Sequence, residues 1–309
     1  MDGIEKKMYN LLYKLYFKIY NKYGDNRVPI YAKMYIKFIK FYLNNIQIII
    51  YKLPHRKIKS RKLIYDEKII ASLTTFPDRI QTVWITIESL LRQTVKPDKI
   101  ILWLSKEQFK SKDDLPKRLL KLQKKGLDIK FCDELRSYKK CFYTLLEHMN
   151  DLILTFDDDM FYPYDTVELL LGLHKKHPKN VVCVSACWMN NSFNTLPSTW
   201  ENANKRKIIN EKYAYAYTGA GTLYPPNVLS SKMFNKEKMF KLCPSADDLW
   251  MKVMEDLVDT KITRIDEYRP FPITIKGTQN KALYKINDYG QNDVQWKNLM
   301  REYYAIEIN

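Results

Sequence analysis

Three consecutive aspartates, Asp157, Asp158 and Asp159, directly follow the apolar run 152–156. Two carboxylates about 4 Å apart repel by roughly 4 kcal/mol at an effective dielectric of about 20, so three at one strand end need water or a cation beside them. A hard divalent ion bridging to phosphate oxygens is the natural partner; the alternative is a solvated acidic turn. The apolar run reads as a short buried strand, which puts the acids at the carboxyl end of a sheet, where open α/β sheets bind ligands.

Thr74, Thr75 and Arg79 fall at the end of an earlier predicted strand and the start of its helix. Free backbone N–H groups and the helix dipole favour phosphate there, and Arg79 can add a bidentate contact or serve as a plain helix-surface charge. A second acidic pair, Asp247 and Asp248, follows Pro244 and Ser245 at the start of a predicted helix reaching about residue 257. Capping and dipole compensation, worth about 1 kcal/mol, account for one acid. The other needs a different reason. Trp188, Trp200 and Trp250 offer faces for stacking on sugars or, alternatively, core packing, and Gly219 and Gly221 suit close backbone approach or positive φ.

These residues must be held by a scaffold, and the pattern supplies one. Strands are predicted at 68–73, 99–104, 127–132, 152–156 and 181–186, with helices at 77–92, 115–124, 139–149 and 165–176 between them. Such alternation predicts a mostly parallel sheet flanked by helices on both faces. No internal repeat or Gly/Ser linker divides it, so residues 63–309 are expected to form one domain.

With 309 residues, 46% of them hydrophobic, the chain has enough apolar content for a real core. The net charge of +17 is uneven: residues 1–62 carry fifteen Lys and Arg against three acids. Lys33, Lys37, Lys40, Asn44 and Gln47 recur at helical spacing as one polar stripe beside an apolar, aromatic remainder. This basic helical extension, residues 1–62, is expected either to lie in an anionic membrane interface or to pack on the domain as a helical pair. It should not span a bilayer, since each central lysine costs about 3 kcal/mol there. Residues 1–5 open no secretory signal, which points to a cytoplasmic protein, peripheral on the inner face of the membrane at most. The five cysteines form no metal-spaced pair. No nucleic-acid module is recognisable, and nucleic acid is not an expected partner.

The segments Ser72, Leu73, Thr74, Thr75, Phe76, Pro77, Asp78, Arg79, Ile80 and Glu88, Ser89, Leu90, Leu91, Arg92, Gln93, Thr94 resemble the opening strand and helix of family 2-like bacterial glycosyltransferases. So do Thr155, Phe156, Asp157, Asp158, Asp159 with Tyr162 and Pro163. The GAGTLYPP block at 219–226 and Ala246, Asp247, Asp248, Leu249, Trp250 resemble the acceptor half of such enzymes from surface-polysaccharide (capsule or lipopolysaccharide) clusters. The resemblance covers about 69–295. It implies a GT-A fold, a Rossmann-like α/β nucleotide-diphospho-sugar transferase architecture, working with a nucleotide-sugar donor, a glycan or lipid-linked acceptor, and Mn²⁺ or Mg²⁺. It places the DxD metal ligands at Asp157 and Asp159. Donor contacts are implied at Thr74, Thr75, Arg79, Lys139, Asp157 and Asp158, with Lys139 ranked before Lys140. Asp248 is implied as general base with Asp247 as its competitor, reaction is implied to invert the anomeric carbon, and acceptor contacts fall to Trp250, Trp188 and Gly221. One departure is Leu104 and Ser105, where common members carry an acid that contacts the base.

Two other readings compete. A DxD phosphohydrolase expects Gly and Thr soon after the second acid, where this chain has Met160 and Phe161. A basic membrane- or nucleic-acid-binding protein on a degenerate fold would bind without turnover.

Overall fold

The computed structural model describes residues 2–23, 28–53, 67–202, 211–266, 269–280 and 287–308. Residues 54–62 of the basic extension and the expected domain boundary lie outside them. The strands are β1 (Ile69–Thr74), β2 (Lys99–Ser105), β3 (Leu127–Cys132), β4 (Leu152–Thr155), β5 (Met160–Phe161), β6 (Val181–Cys183), β7 (Ala186–Trp188), β8 (Glu201–Asn202), β9 (Ala214–Ala216), β10 (Thr222–Tyr224), β11 (Ile262–Arg264) and β12 (Ile273–Thr274). Seven form the central sheet in the order β11-β6-β10-β4-β1-β2-β3. Only β10 runs antiparallel to its neighbours in that sheet.

The helices are α1 (Asp2–Tyr23), α2 (Ile30–Phe41), α3 (Ile48–Lys52), α4 (Val83–Leu91), α5 (Lys117–Lys121), α6 (Lys139–Glu147), α7 (Thr166–Lys176), α8 (Lys236–Leu242), α9 (Asp247–Asp256) and α10 (Asn292–Tyr304). Strand alternation sorts side chains to two cores. Ala71, Leu73, Leu102 and Leu104 join one core with α4 and α7, while Ile70, Ile101, Trp103 and Ile153 join the other with α6 and α9. Both sheet faces are therefore covered, as the nearly continuous apolar strands require.

Two expected elements are broken. The helix expected over 77–92 is a single tight turn, Pro77–Arg79, followed by α4; Pro77 pre-sets the first turn, and the chain re-enters a helix at Val83. The strand expected over 181–186 leaves the central sheet after Cys183, where the Val184 N–H turns to the Gly221 carbonyl at 3.0 Å. The chain then enters a three-stranded antiparallel sheet in the order β8-β7-β9.

The N-terminal helices pack on the first core. Tyr9, Tyr13, Tyr16 and Phe17 of α1 are buried. The Tyr9 hydroxyl donates to the Tyr162 carbonyl at 2.8 Å and the Tyr13 hydroxyl to that of Phe161, just beyond the aspartate triplet. Behind them a buried network joins Glu5 to Arg92 at 3.4 Å, to Gln47 at 2.7 Å and to the Tyr164 hydroxyl at 2.6 Å. The expected polar stripe splits at Phe41. Lys33, Lys37 and Lys40 stay exposed, but residues Tyr42–Gln47 adopt a π-helix that changes the angular step, so Gln47 turns into the buried network and Asn44 accepts from the Lys276 N–H at 2.7 Å. Among the described residues no helix is long and apolar enough to cross a membrane.

Candidate active site

Parallel register brings the first and fourth strands to one edge together. Ser72 lies opposite Thr155, so Thr75 and Asp158, three residues further on, emerge side by side. The Thr75 hydroxyl donates to the Asp158 carboxylate, and the Thr86 hydroxyl donates to the Asp158 carbonyl at 2.9 Å. Antiparallel pairing of Thr222 with Thr155 returns Gly219 to the same place, where its carbonyl accepts from the Asp157 N–H at 3.2 Å.

The three acids diverge from there. Arg79 holds Asp158 at 2.6 Å and Asp159 at 3.0 Å, and Gln279 donates to Asp159 at 2.5 Å. Burial pushes the Asp159 carboxyl up to about 7, Asp158 beside it adding to the rise and Arg79 opposing it. Burial also works against the charge on Arg79, but Asp158 and Asp159 outweigh it and its pKa is raised. Asp157 turns the other way, to Lys140 at 2.7 Å.

Lys140 joins the triplet to the second acidic pair, since its ammonium also lies 3.2 Å from Asp247. Ser72 positions this lysine by donating to its carbonyl at 2.6 Å from inside the sheet. Burial opposes the charge, yet Asp157, Asp247 and Asp248 hold the pKa of Lys140 well above its ordinary value. Lys139, ranked first from the sequence, also lines the cavity but pairs with Glu134 at 2.7 Å.

Neither acid of the pair caps its helix, because the N-cap of α9 is Ala246, without a side-chain cap. Asp248 instead accepts from the Thr218 N–H at 3.0 Å and from its hydroxyl. Burial and Asp247 push the Asp248 carboxyl up to about 7, with Lys140 and Thr218 pulling it down. A carboxylate poised near neutrality suits proton transfer at working pH.

Arg79, Lys139, Lys140, the three acids of the triplet, Asp247 and Asp248 line one cavity of about 750 Å³, together with Thr74 and Thr75. Several lining residues escaped the sequence reading: Gln279, Asn287, Tyr215, Tyr217 and Phe271. Their signals were weak, since Gln279 sits in an ordinary polar turn and the aromatics read as strand or loop residues. Three expected acceptor contacts are not in the cavity lining. Trp250 is fully buried, its indole N–H donating to the Met233 carbonyl at 3.3 Å, because α9 turns that residue into the second core. Trp188 lies on β7 and is likewise not among the lining residues. Gly221, with φ of 105°, packs toward Thr166 and Val184, leaving Gly219 as the lining glycine.

Among the described residues no three His, Cys, Asp or Glu groups form a ready-made metal cluster. A magnesium-type site needs only one or two carboxylates when substrate phosphates complete it. Asp157 and Asp159, hard oxygen donors that both line the cavity, supply that number of carboxylates. The residues fit a divalent cation.

An acid-tipped strand at the centre of a mostly parallel, helix-flanked sheet is the GT-A arrangement of nucleotide-sugar glycosyltransferases. The model of glycosyl transferase family 2 matches residues 74–237, more than half of the sequence, and the chain belongs to that family. No curated protein matches the sequence. The fold is similar to that of S. aureus TarS 1-349 in complex with UDP, with a TM-score of 0.48 and 12% identity over 78% of this chain and 67% of that one. Similar too is the mannosyltransferase PcManGT from Pyrobaculum calidifontis in complex with GDP-Man and Mn²⁺, at a TM-score of 0.47 and 10% identity over 85% and 73% of the two chains.

Proposed function

We propose that the enzyme transfers a sugar from a nucleoside-diphosphate donor to a hydroxyl of a glycan or lipid-linked acceptor in surface-polysaccharide synthesis, with inversion. It would act on the cytoplasmic side, at the inner face of the membrane. The observation that carries this reading is the bridge of Lys140 between Asp157 and Asp247, which sets donor-type and base-type carboxylates in one cavity.

In this reading Arg79 and Lys140 exchange part of their carboxylate pairing for the donor diphosphate, with Thr74, Thr75 and Lys139 lining its berth. Asp248 takes the proton of the acceptor hydroxyl as that oxygen bonds to the anomeric carbon and the bond to the diphosphate breaks. A single displacement of this kind inverts the centre. Asp157 and Asp159 would hold a divalent cation, which when bound supplies Lewis-acid stabilisation of charge on the leaving diphosphate. Tyr217 and Phe271, whose rings pack edge to face at 5.0 Å, take over the acceptor-stacking role first given to tryptophan.

The test is incubation of the purified protein with Mn²⁺ or Mg²⁺ and a panel of nucleotide sugars. Donor binding and nucleoside diphosphate release should require the cation and disappear with a chelator. Absence of donor binding across the panel would sink the transferase mechanism.

A further inference from the structure

Helix α2 has two apolar faces where an ordinary surface helix has one. Ala32, Ile36 and Ile39 are buried against the protein. On the opposite side of the helix, about half a turn round, lies a second apolar face, with Ile30 80%, Met34 67%, Phe38 54% and Phe41 57% exposed. Spacings of four, four and three residues keep these four within one arc at 100° per residue. One flank between the two faces carries Lys33, Lys37 and Lys40 and the other Tyr31 and Tyr35, all exposed. Helix α1 repeats the theme, exposing Met8, Leu11 and Leu15 beside Lys7, Lys14 and Lys18.

Folding has already used the inner faces, so the outer apolar arc is surplus to the core. Exposed contiguous apolar surface of this kind marks an interaction site. The charge beside it selects the occupant: residues 30–52 contain lysines and no acid at all. A second copy meeting this face about a two-fold axis would set one lysine row against another, which disfavours self-association. An anionic lipid surface offers hydrocarbon to the aromatic arc and negative headgroups to the lysines at once.

We propose that the outer face of α2, with the exposed stripe of α1 beside it, docks on an anionic bilayer as an interfacial, non-spanning anchor. Its grip is transmitted stiffly to the catalytic edge. The inner face of α1 is bonded to the carbonyls of Phe161 and Tyr162, and Asn44, just beyond α2, holds Lys276. The same two segments pair as β5 and β12 and reach Asp159, whose carbonyl accepts from the Ile275 N–H at 2.8 Å. The anchor is therefore part of the fold that carries the triplet. It deepens the proposed action on membrane-side acceptors, yet lipid binding and donor turnover are separate readouts.

The full chain is mixed with phosphatidylcholine vesicles, with or without phosphatidylglycerol, and floated on a density gradient. Flotation is expected only with phosphatidylglycerol and should fade as salt is raised. Met34→Glu combined with Phe38→Glu should abolish it, and each of Lys33→Gln, Lys37→Gln and Lys40→Gln should weaken partitioning about fivefold. All these variants should keep the wild-type melting temperature within about 2 °C, because the changed side chains are exposed, and should release nucleoside diphosphate in solution as wild type does. Equal flotation on neutral and anionic vesicles, no flotation at all, or flotation unaffected by the double glutamate variant each overturns the proposal. So does a dimer in sedimentation velocity that the same variant splits, which would give the face to a second copy.

Discussion

The two acidic clusters that face each other across the cavity are built differently. Asp157, Asp158 and Asp159 leave β4 on a backbone pinned by register, with Thr75, Thr86 and Gly219 fixing where each residue sits. Asp247 and Asp248 begin a helix whose cap provides no side chain, so their placement depends on Thr218 and Lys140. The partners differ accordingly. Cations hold the triplet, whereas Asp248 is held by the neutral N–H and hydroxyl of one threonine. Adjacent acids with equal chemistry thus acquire different tasks: cation-paired carboxylates suit ligand charge, and the one with neutral partners suits a proton.

Asp248→Asn attacks this contrast most directly. It removes the proton acceptor and keeps an oxygen for the Thr218 N–H, so turnover should drop about 10³-fold while donor affinity by calorimetry changes little. The raised carboxyl also has a thermodynamic sign. The folded state holds a proton on Asp248 that the unfolded chain releases near pH 4, so this group's contribution falls as pH rises from about 4 to about 7. The asparagine variant escapes that loss and should melt about 2 °C higher at pH 8. Wild-type kcat/KM should climb through about pH 7 and level off, with that limb missing from the variant's residual activity. Persistence of the same limb would place the base elsewhere.

Lys140→Met removes the cation shared by the two clusters. It leaves Asp157 and Asp247 short of a shared cation and should lower turnover about 10²-fold. Because Lys140 pulls the Asp248 carboxyl down, the rising limb of kcat/KM should move above pH 7. Arg79→Met touches the triplet alone. Donor affinity should weaken about tenfold with the limb unmoved; a shift of the limb would show that the two clusters titrate as one.

How far the sequence reveals this arrangement depends on range. The strands and their acid tip follow from local alternation, and β3 agrees residue for residue with the reading at 127–132. Thr75 beside Asp158 is implied once β1 and β4 are paired. What local pattern cannot express is side-chain direction after an element ends. Lys139 and Lys140 are equivalent as letters, but α6 turns only the second toward both acidic clusters. Trp250 follows the acidic pair closely, yet helical rotation sends its indole into the core. Gln279 reaches Asp159 across 120 residues, and Gln47 reaches Glu5 only through a π-helix. These depend on tertiary packing, which no short motif encodes.

Gly219→Ala makes the smallest change and separates the clusters most finely. A Cβ at residue 219 would stand 1.8 Å from Oδ2 and 2.1 Å from Cγ of Asp157, so the carboxylate must swing away. The displaced atoms are the end of a side chain that is 37% exposed, and room to rotate lets the fold survive. The three atoms nearest the added Cβ all belong to the Asp157 carboxylate. Cation-dependent donor affinity should therefore weaken about tenfold, the order expected when one charged contact is lost, while the pH limb stays near 7 and the melting temperature moves by no more than about 2 °C. An unchanged donor affinity in a stably folded variant would remove Asp157 from donor binding. The triplet's charge-binding role would then rest on Asp159 alone, with Asp157 serving mainly to steady Lys140 beside the second cluster.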